Sequence, residues 1–585
     1  MVHTKSDAAK AAWISRFDEA AASASAVSTA TGALAGLSFA VKDNIDVAGL
    51  PSTAACAAFA EFRAAPTAHA HVVRRLLDAG ASCVGKTNLD QFACGLNGTR
   101  SPHGAVPNSF DPRYVSGGSS SGSAYVVATG QVDFSLGTDT AGSGRVPAGL
   151  NNIVGIKPSR GLISARGVVP AAQSVDCVSI FARTVGMALQ VLHAAKGFDT
   201  ADPYSRRLDL TNTPYPKLFL FGVPSTLAFF GDDASEAAFA EAIARLEAMG
   251  GVQVAIDYEP LAEIAALLYD SALVAERYAA VREFFDAHEA DVIEPVRSIL
   301  AAGRGYSAAD LVDAQIKLRT LAQQVAPMWN DIDLLLVPTS PTHYTIEAMQ
   351  ADPVVLNRNL GTYTNFVNLL DYAAISVPSS LRPDGMPFGI TLIGLCGSDL
   401  RLAELGQRYH HASGLTQGAT GKPLPAPVDV FAHASAASTT PAPPAPPAPP
   451  APPTLTMARV AVVGAHLSGM PLNAQLTDRG ATLVAKTQSA PNYRLYALPG
   501  TVPPKPGMVR VAPAEGVALE LEIWEMPMVQ YGSFVALIPA PLGIGTLTLA
   551  DGSSVQGFVC EPLALDGAED ISHHGGWRRY IASRV

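Results

Sequence analysis

Ser116-Gly-Gly-Ser-Ser-Ser-Gly-Ser123 is the stretch that decides the fold, together with Gly137-Thr-Asp-Thr-Ala-Gly-Ser143 further along the chain. Both stretches are rich in glycine and place serine hydroxyls in short turns. Serine is a weak nucleophile that needs a neighbouring base, and the carbonyl it attacks needs backbone N–H donors around the developing oxyanion. Glycine leaves room for such close approach. The two stretches therefore predict a site with a nucleophilic serine.

An isolated Gly/Ser run is usually a flexible linker, which is the main alternative here. Apolar segments flank both runs, however. Ala124-Tyr-Val-Val-Ala128 follows the first run, and Ile153-Val-Gly-Ile-Lys-Pro158 comes soon after the second. We therefore predict that both runs are turns within ordered structure.

A candidate base lies upstream, at Lys42 in Ala40-Val-Lys-Asp-Asn44. A lysine acts as a base only when it is neutral, and burial favours the neutral form because desolvation lowers its pKa. The preceding residues 38–41 are typical of a buried strand. A surface lysine at a strand end is the alternative interpretation.

In this order the motifs resemble the amidase signature family of serine hydrolases. The resemblance covers about residues 30–430 and rests on Lys42–Asn44, Val84–Asp90, Gly117–Ser123, Gly137–Ala148 and Val154–Pro158. It implies a catalytic Ser-Ser-Lys triad of Lys42, Ser119 and Ser143, because the nucleophile of the family lies 24 residues after its first serine.

The resemblance also implies how these residues act. Lys42 would take the proton of Ser119, and Ser119 that of Ser143, which attacks the carbonyl to form an acyl-enzyme. The peptide bond before Ser119 is expected to be cis. The expected oxyanion hole consists of the backbone N–H groups of Thr140, Ala141, Gly142 and Ser143.

Further polar residues match positions in the core of the family. A buried Asp–Arg pair or a capped turn explains them as well as catalysis does, so we expect them to support the site at most. They are Asp139, Arg145, Gln173, Ser174 and Asp176.

The composition is that of an ordinary enzyme. With 585 residues, of which 48% are hydrophobic and 16% charged, the chain can bury a large core in two to four domains. A net charge of −11 without a basic cluster argues against nucleic acid or an anionic membrane as partner. No signal-peptide segment or membrane-spanning apolar run is evident, so we expect a cytoplasmic protein.

Cysteine and histidine spacing predicts no metal site, and we expect no cofactor. His573-His574 lacks a further ligand at useful spacing, and the cysteines form no CxxC motif. Scattered cysteines are typical of a reducing compartment. They are Cys56, Cys83, Cys94, Cys177, Cys396 and Cys560.

Apolar runs alternate with helical stretches in the first 430 residues, which predicts an α/β fold with helices covering a sheet. Leu218–Val223 and Leu334–Pro338 are such runs, and Ala234–Met249 is a predicted helix. The family resemblance implies a mixed sheet of about eleven strands. Its last strands would be Ala374–Pro378 and Phe388–Gly394.

The chain changes character at residues 434–456, where Pro-Ala-Pro-Pro units repeat. Such a tract lacks backbone donors and favours polyproline II, so it predicts a semi-rigid linker. It would join an amidase domain, residues 1–433, to a second domain, residues 457–585.

The second domain carries strand signals at Arg459–Val463, Val517–Trp524 and Phe534–Ile538, which predict a small β-rich fold. Its Gly464-Ala-His-Leu-Ser-Gly469 and Pro471–Asn473 segments resemble the C-terminal domain of the allophanate hydrolases. That resemblance implies a fold like that of the γ-glutamylcyclotransferases.

The same resemblance implies hydrolysis of allophanate, the N-carboxylate of urea, to ammonia and carbon dioxide in urea degradation. Guanidinium suits a carboxylate substrate, and Tyr269 and Arg277 match the substrate-binding pair of these enzymes. An ion pair between Arg277 and Glu276 on a solvated helix is the alternative. His466 is the implied second-domain candidate for the later decarboxylation, although a lone histidine is more often structural. Functional coupling to a urea carboxylase and a homodimer are further expectations.

Two other functions remain open. The first is another amidase, such as a glutamine amidotransferase subunit, which would share the triad; the C-terminal domain counts against it. The second is a non-catalytic scaffold, against which the intact Lys42, Ser119 and Ser143 count.

Overall fold

The computed structural model describes residues 10–17, 32–432 and 457–584. The chain divides into two units, Met1–Thr440 and Pro441–Val585. The predicted linker, residues 434–456, lies outside the described residues.

The N-terminal unit is built on an eleven-stranded mixed sheet with the strand order β1-β3-β2-β4-β6-β5-β10-β11-β9-β7-β8. This confirms the α/β fold class and the expected sheet. Its strands are β1 (Trp13–Arg16), β2 (Ser38–Lys42), β3 (Ser82–Thr87), β4 (Phe134–Asp139), β5 (Val154–Lys157), β6 (Cys177–Ala182), β7 (Phe219–Pro224), β8 (Gly251–Ile256), β9 (Leu334–Pro338), β10 (Ala373–Leu381) and β11 (Pro387–Gly394).

Helices cover the sheet, and every residue of the central strands β4 and β6 is buried, as expected for strands covered on both faces. The helices are α1 (Ala57–Phe62), α2 (His71–Asp78), α3 (Ser121–Ala128), α4 (Val146–Leu150), α5 (Val185–Ala195), α6 (Asp233–Ala248), α7 (Glu259–Asp270), α8 (Ala275–His288), α9 (Val296–Ala302), α10 (Ala308–Val325), α11 (Ile346–Ala351), α12 (Val355–Leu360), α13 (Phe366–Leu369) and α14 (Asp399–Ala412).

Local sequence explains where several helices begin. The carboxylate of Asp232 accepts a hydrogen bond from the N–H of Ser235 (3.0 Å) and so caps α6, the helix expected near this position. Ser307 and Asp310 form a capping box at the start of α10. These side chains satisfy N–H groups that the helices themselves leave unpaired.

The two central parallel strands β2 and β4 position the predicted site. They are neighbours, with Phe39 opposite Phe134 and Val41 opposite Leu136. Parallel neighbours end at the same edge of a sheet, so Lys42 at the end of β2 lies beside the last residues of β4. The second glycine-rich stretch begins within β4, at Gly137, and continues into the turn that follows the strand.

The C-terminal unit is β-rich, as predicted, with a five-stranded sheet (β13-β16-β12-β18-β17) and a three-stranded sheet (β15-β14-β19). Its strands are β12 (Met457–Val462), β13 (Thr482–Gln488), β14 (Tyr493–Ala497), β15 (Pro506–Arg510), β16 (Glu520–Pro527), β17 (Leu542–Thr548), β18 (Ser554–Cys560) and β19 (Glu569–Asp570). Its helices are α15 (Ala474–Thr477), α16 (Met528–Val535) and α17 (Trp577–Ala582).

The strand predicted at Phe534–Ile538 is wrong, because this segment contains the end of helix α16 and the turn after it. Phe534 is fully buried, and Tyr531 and Ile538 pack against the same apolar core. These side chains recur every three to four residues, which is the period of a helix and not that of a strand. A short apolar run does not distinguish the two by composition alone.

Candidate active site

Lys42 lies at the centre of the site and is completely buried. Its Nζ donates hydrogen bonds to Ser119 Oγ (2.8 Å) and to Thr138 Oγ1 (2.8 Å). Ser119 Oγ in turn donates to Ser143 Oγ, at 3.0 Å. The structure therefore brings together all three residues of the predicted triad in one continuous chain of hydrogen bonds.

Burial changes the acidity of Lys42. Desolvation lowers its pKa to about 7, although the negative charges of Asp90, Asp176 and Asp139 act in the opposite direction. A lysine with this pKa is neutral in a substantial fraction of molecules at neutral pH, as a base requires. A surface lysine at a strand end, the alternative considered from the sequence, is wrong.

Ser119 lies in the turn before α3, and the peptide bond Gly118–Ser119 is cis, as the resemblance implies. Asp90 supports this turn: its N–H donates to Ser119 O (3.1 Å). A Cβ atom at position 118 would lie 2.1 Å from Asp90 Oδ2, so the turn requires glycine there. The first glycine-rich stretch is thus ordered, not a linker.

The turn after β4 presents Ser143 and is held by Asp139, whose Oδ1 accepts from Gly142 N–H and whose Oδ2 accepts from Gly144 N–H (2.9 Å each). Gly142 has φ of +134°, and a Cβ there would meet Thr364 Oγ1 at 2.4 Å, so only glycine fits. The N–H of Gly142, which the resemblance implies as an oxyanion-hole donor, is thus already bonded to Asp139.

A buried ion pair between Arg145 and Asp139 holds this turn in place. Arg145 Nε donates to Asp139 Oδ2 and Nη2 to Asp139 Oδ1, each at 2.9 Å, and both side chains are fully buried. Burial by itself would raise the pKa of Asp139, but the charge and hydrogen bonds of Arg145 outweigh it and lower that pKa. Arg145 also donates to Thr364 O (3.1 Å), which ties the turn to a distant segment.

Asp176 supports the other side of the turn. Its Oδ1 accepts from the hydroxyl of Thr140, and its Oδ2 accepts from the N–H groups of Ala171 and Ala172. Burial raises the pKa of Asp176 to about 6 in spite of these hydrogen bonds. Asp176 thus places a carboxyl group beside the turn, where its charge raises the pKa of Lys42.

Tyr269 on α7 and Arg277 on α8 lie together, as predicted. Arg277 Nη2 donates to the Tyr269 hydroxyl at 3.4 Å, and its guanidinium lies over the Tyr269 ring, 5.1 Å from the centroid. Arg277 is 3% exposed, and its Nε and Nη1 have no hydrogen-bond partner in the described part of the chain.

The alternative for Arg277, an ion pair with Glu276 on a solvated helix, is wrong. The Glu276 carboxylate accepts instead from the N–H (2.6 Å) and the hydroxyl (2.8 Å) of Ser174. A buried guanidinium with two unpaired nitrogens is costly, and a carboxylate ligand would satisfy it.

Tyr269, but not Arg277, lines a cavity of about 260 Å³. Arg100 and Tyr269 lie in its wall with apolar side chains of α9, and Asp270 and Arg358 form an exposed ion pair (2.9 Å) there. The cavity has the size of a site for a small polar molecule.

His466 lines a second cavity, of about 160 Å³, in the C-terminal unit. Its Nε2 is 2.9 Å from Gln475 Oε1, and its ring stacks on Phe558 with a centroid distance of 5.0 Å. Burial lowers the pKa of His466, and the nearby charge of Lys505 acts in the same direction. His466 is therefore a neutral side chain in a pocket that also contains a cation.

Sequence reasoning missed Thr138, Asp90, Arg100 and Lys505. Thr138 could have been found from its position near the end of β4, one residue before Asp139. Arg100 is held partly by a distant segment, through Pro353 O, which no local pattern records. Within the described residues, no group of three or more His, Cys, Asp or Glu side chains is arranged to hold a metal ion. Nor does any helix in those ranges combine the length and apolar character needed to cross a bilayer.

Comparison with known proteins agrees with this architecture. The family model Amidase matches residues 3–403, and the chain belongs to the amidase family. The model Allophanate hydrolase C-terminal domain matches residues 458–582.

Comparison with individual proteins shows which members of the family the chain resembles. The chain is 43% identical over 557 residues to a urea amidolyase of Lachancea kluyveri, covering 94% of this chain but 30% of the relative. The solved structure of Kluyveromyces lactis allophanate hydrolase is 41% identical with a TM-score of 0.68, covering 98% of this chain and 94% of that one. One component of the glutamyl-tRNA(Gln) amidotransferase of Haloarcula marismortui is more distant, at 33% identity over 62% of this chain and 92% of the relative.

Proposed function

We propose that this protein hydrolyses allophanate through an acyl-enzyme on Ser143. The observation that carries the proposal is the buried chain of hydrogen bonds from Lys42 through Ser119 to Ser143. The similarity to an allophanate hydrolase over nearly the whole chain supports the choice of substrate.

Neutral Lys42 starts the reaction by accepting the proton of Ser119, which accepts that of Ser143 as Ser143 Oγ attacks the amide carbon. The backbone N–H groups of Thr140, Ala141 and Ser143 stabilise the oxyanion, while Gly142 N–H, bonded to Asp139, holds the turn in shape. The relay then runs in reverse to protonate the departing ammonia. Water hydrolyses the acyl-enzyme by the same route.

Arg277 and Tyr269 bind the carboxylate of the substrate. The Arg277 guanidinium is buried and two of its nitrogens have no partner among the described residues, so its charge is available to a carboxylate, and the Tyr269 hydroxyl adds a further polar group. This recognition distinguishes allophanate from neutral amides and from glutamine, whose carboxylate is farther from its amide.

Hydrolysis converts allophanate and water into N-carboxycarbamate and an ammonium ion. We extend the proposal to the C-terminal unit, residues 457–585, where the product would lose carbon dioxide. Loss of carbon dioxide leaves an electron pair on nitrogen that must take up a proton. His466 would relay that proton, and Lys505 in the same cavity would bind a remaining carboxylate.

The proposal also covers the source of allophanate and the assembly of the protein. The urea amidolyases are about three times as long as the present chain, which spans 30% of their length. We propose that this protein receives allophanate from a urea carboxylase in the cytoplasm, as two domains joined by residues 434–456, and that it forms a homodimer. Size-exclusion chromatography with light scattering tests the homodimer, and the same measurement with a urea carboxylase added tests whether the two proteins associate.

The first experiment measures ammonia released per allophanate consumed by the full chain and by Ser143→Ala. We expect preferential turnover of allophanate over acetamide, glutamine and malonamate, and a fall of about 10³-fold or more in the variant. Preference for glutamine or a simple amide would be consistent with the proposed triad but would contradict allophanate as the substrate. Full activity in Ser143→Ala would remove the proposed nucleophile.

A further inference from the structure

Two buried arginines lie near Tyr269: Arg277 lies over its ring, and Arg100 lines the same cavity as Tyr269. Arg277 is 3% exposed and Arg100 4%, and neither forms an ion pair within the described ranges. Burial raises the pKa of the Tyr269 hydroxyl; the charges of Arg277 and Arg100 lower that pKa, and Cys94 and Asp90 raise it. Two buried guanidinium groups without an ion-pair partner are costly unless an anionic ligand meets them.

Hydrogen bonds within the protein satisfy only some of the nitrogens of the Arg100 guanidinium. Nη1 donates to Cys94 O at 3.0 Å and Nη2 donates to Pro353 O, whereas Nε has no partner in the described part of the chain. Asp90 does not pair with the guanidinium: its Oδ1 accepts from the backbone N–H of Arg100 (2.9 Å), and its Oδ2 from two other backbone N–H groups. Carbonyl groups orient the charge of Arg100 without neutralising it.

Arg100 lies in the wall of the 260 Å³ cavity, as does Tyr269. The other arginine of this wall, Arg358, already pairs with Asp270 at 2.9 Å. Among the described residues of the wall, Arg100 is therefore the cation that remains available for a ligand.

The proposed reaction changes the charge of the ligand, and the following inference rests on that proposed function. Allophanate carries one carboxylate, which Arg277 binds. Water attacks the acyl carbon on Ser143, the ester bond breaks, and the acyl carbon becomes a second carboxylate. The product is a dianion, and the ammonium ion carries the balancing charge.

We propose that Arg100 forms a second anion subsite, which binds the carboxylate created by hydrolysis and stabilises the dianionic product in the cavity. Substrate and product then differ in their contacts, since the monoanion is bound by Arg277 alone and the dianion by Arg277 and Arg100 together. Other small dicarboxylates whose carboxylates are one atom apart share this recognition.

Malonate tests the proposal, because it is the stable analogue of the product with CH₂ in place of NH. Its inhibition constant is compared with that of monomethyl malonate, which carries a single negative charge, using the full chain. For Arg100→Gln we expect malonate to bind about 10-fold to 100-fold more weakly, since a hydrogen bond to a charged group is lost. We expect less than a threefold change for the monoester.

Three further variants make the result specific. Arg100→Lys keeps the charge and should recover most of the malonate affinity. Arg277→Gln should weaken both ligands, and Arg282→Gln, an exposed change on α8 outside the cavity wall, should alter neither inhibition constant by more than twofold. An unchanged inhibition constant for malonate in Arg100→Gln, or equal weakening of both ligands, would overturn the proposal and leave Arg100 with a structural role.

Direct calorimetry of malonate binding separates this inference from the proposed function. If the wild-type protein fails to hydrolyse allophanate, the proposed function fails. A selective loss of malonate affinity in Arg100→Gln would still establish the anion subsite. If allophanate is hydrolysed and malonate binding does not depend on Arg100, the function stands and the subsite does not exist.

Discussion

At the scale of single residues, the acidity of Lys42 controls the proposed reaction. Its pKa of about 7 means that it is protonated below neutral pH and cannot accept the proton of Ser119. We expect kcat/KM for a stable amide to fall about tenfold per pH unit below pH 6. The measurement is a pH–rate profile with circular dichroism as a control for folding. A rate that stays constant down to pH 4 would exclude a lysine base.

Asp176 should influence the acid limb of this profile, which is the pH range in which the rate falls as Lys42 becomes protonated. Its negative charge raises the pKa of Lys42, so Asp176→Asn should lower that pKa and move the limb to lower pH. Asp176→Asn would also change the hydrogen bond to the Thr140 hydroxyl, which should lower the maximum rate without moving the limb. Asp313→Asn, an exposed change on α10, is the matched control. A lower rate without displacement of the limb would limit Asp176 to structural support.

Arg277 should determine which amides are accepted. We expect Arg277→Gln to reduce kcat/KM for malonamate by about 10²-fold or more, because the carboxylate loses a buried, charged partner. The reduction for a neutral amide of similar size should be much smaller. Arg282→Gln, an exposed change on the same helix, is the control. Equal losses for both kinds of amide would contradict the assigned role.

At the scale of elements, the site depends on how the turn after β4 is fixed. Asp139 connects the turn to Arg145, and Arg145 reaches the segment before α13 through Thr364. Asp139→Asn would leave Arg145 as an unpaired buried cation, so we expect a loss of about 3–5 kcal/mol in the free energy of unfolding. Urea denaturation at pH 7 measures this loss, with Asp313→Asn as the control.

The pH dependence of stability follows from the same pair. The pKa of Asp139 is lower in the folded protein than in the unfolded chain. Its contribution to stability is therefore present above the unfolded pKa and is lost as pH falls towards the folded one. The difference in stability between wild type and Asp139→Asn should shrink in acid, and a constant difference would contradict this account.

At the scale of the whole molecule, the two units have separate apolar cores, one of which is the cluster around Val460, Leu495 and Phe534. Leu495→Ala removes a fully buried side chain and should cost about 2–5 kcal/mol in the C-terminal unit alone. Leu402→Ala on α14 is the reciprocal change. Calorimetry should show two unfolding transitions, each lowered by one variant. A single transition shifted by both variants would show that the units unfold together.

The sequence predicted a nucleophilic serine because glycine-rich turns are local features. The resemblance to the amidase signature family then assigned Lys42, Ser119 and Ser143, and the alternation of apolar runs predicted the α/β sheet. The helix at Met528–Val535 was missed because a short apolar run has the same composition in a strand and in a helix. Packing against the core decides between the two.

The sequence by itself therefore determined the kind of fold and the chemistry of the nucleophile, since both depend on residue types at short, fixed spacings. Only the tertiary structure decided which charges are neutralised. Pro353 meets Arg100 across 253 residues of chain, and Ser174, 102 residues away, takes the carboxylate of Glu276 that Arg277 could have used. No local pattern records these contacts. Among the described residues, this packing leaves the guanidinium groups of Arg277 and Arg100 without an ion-pair partner, as the proposed anionic ligand requires.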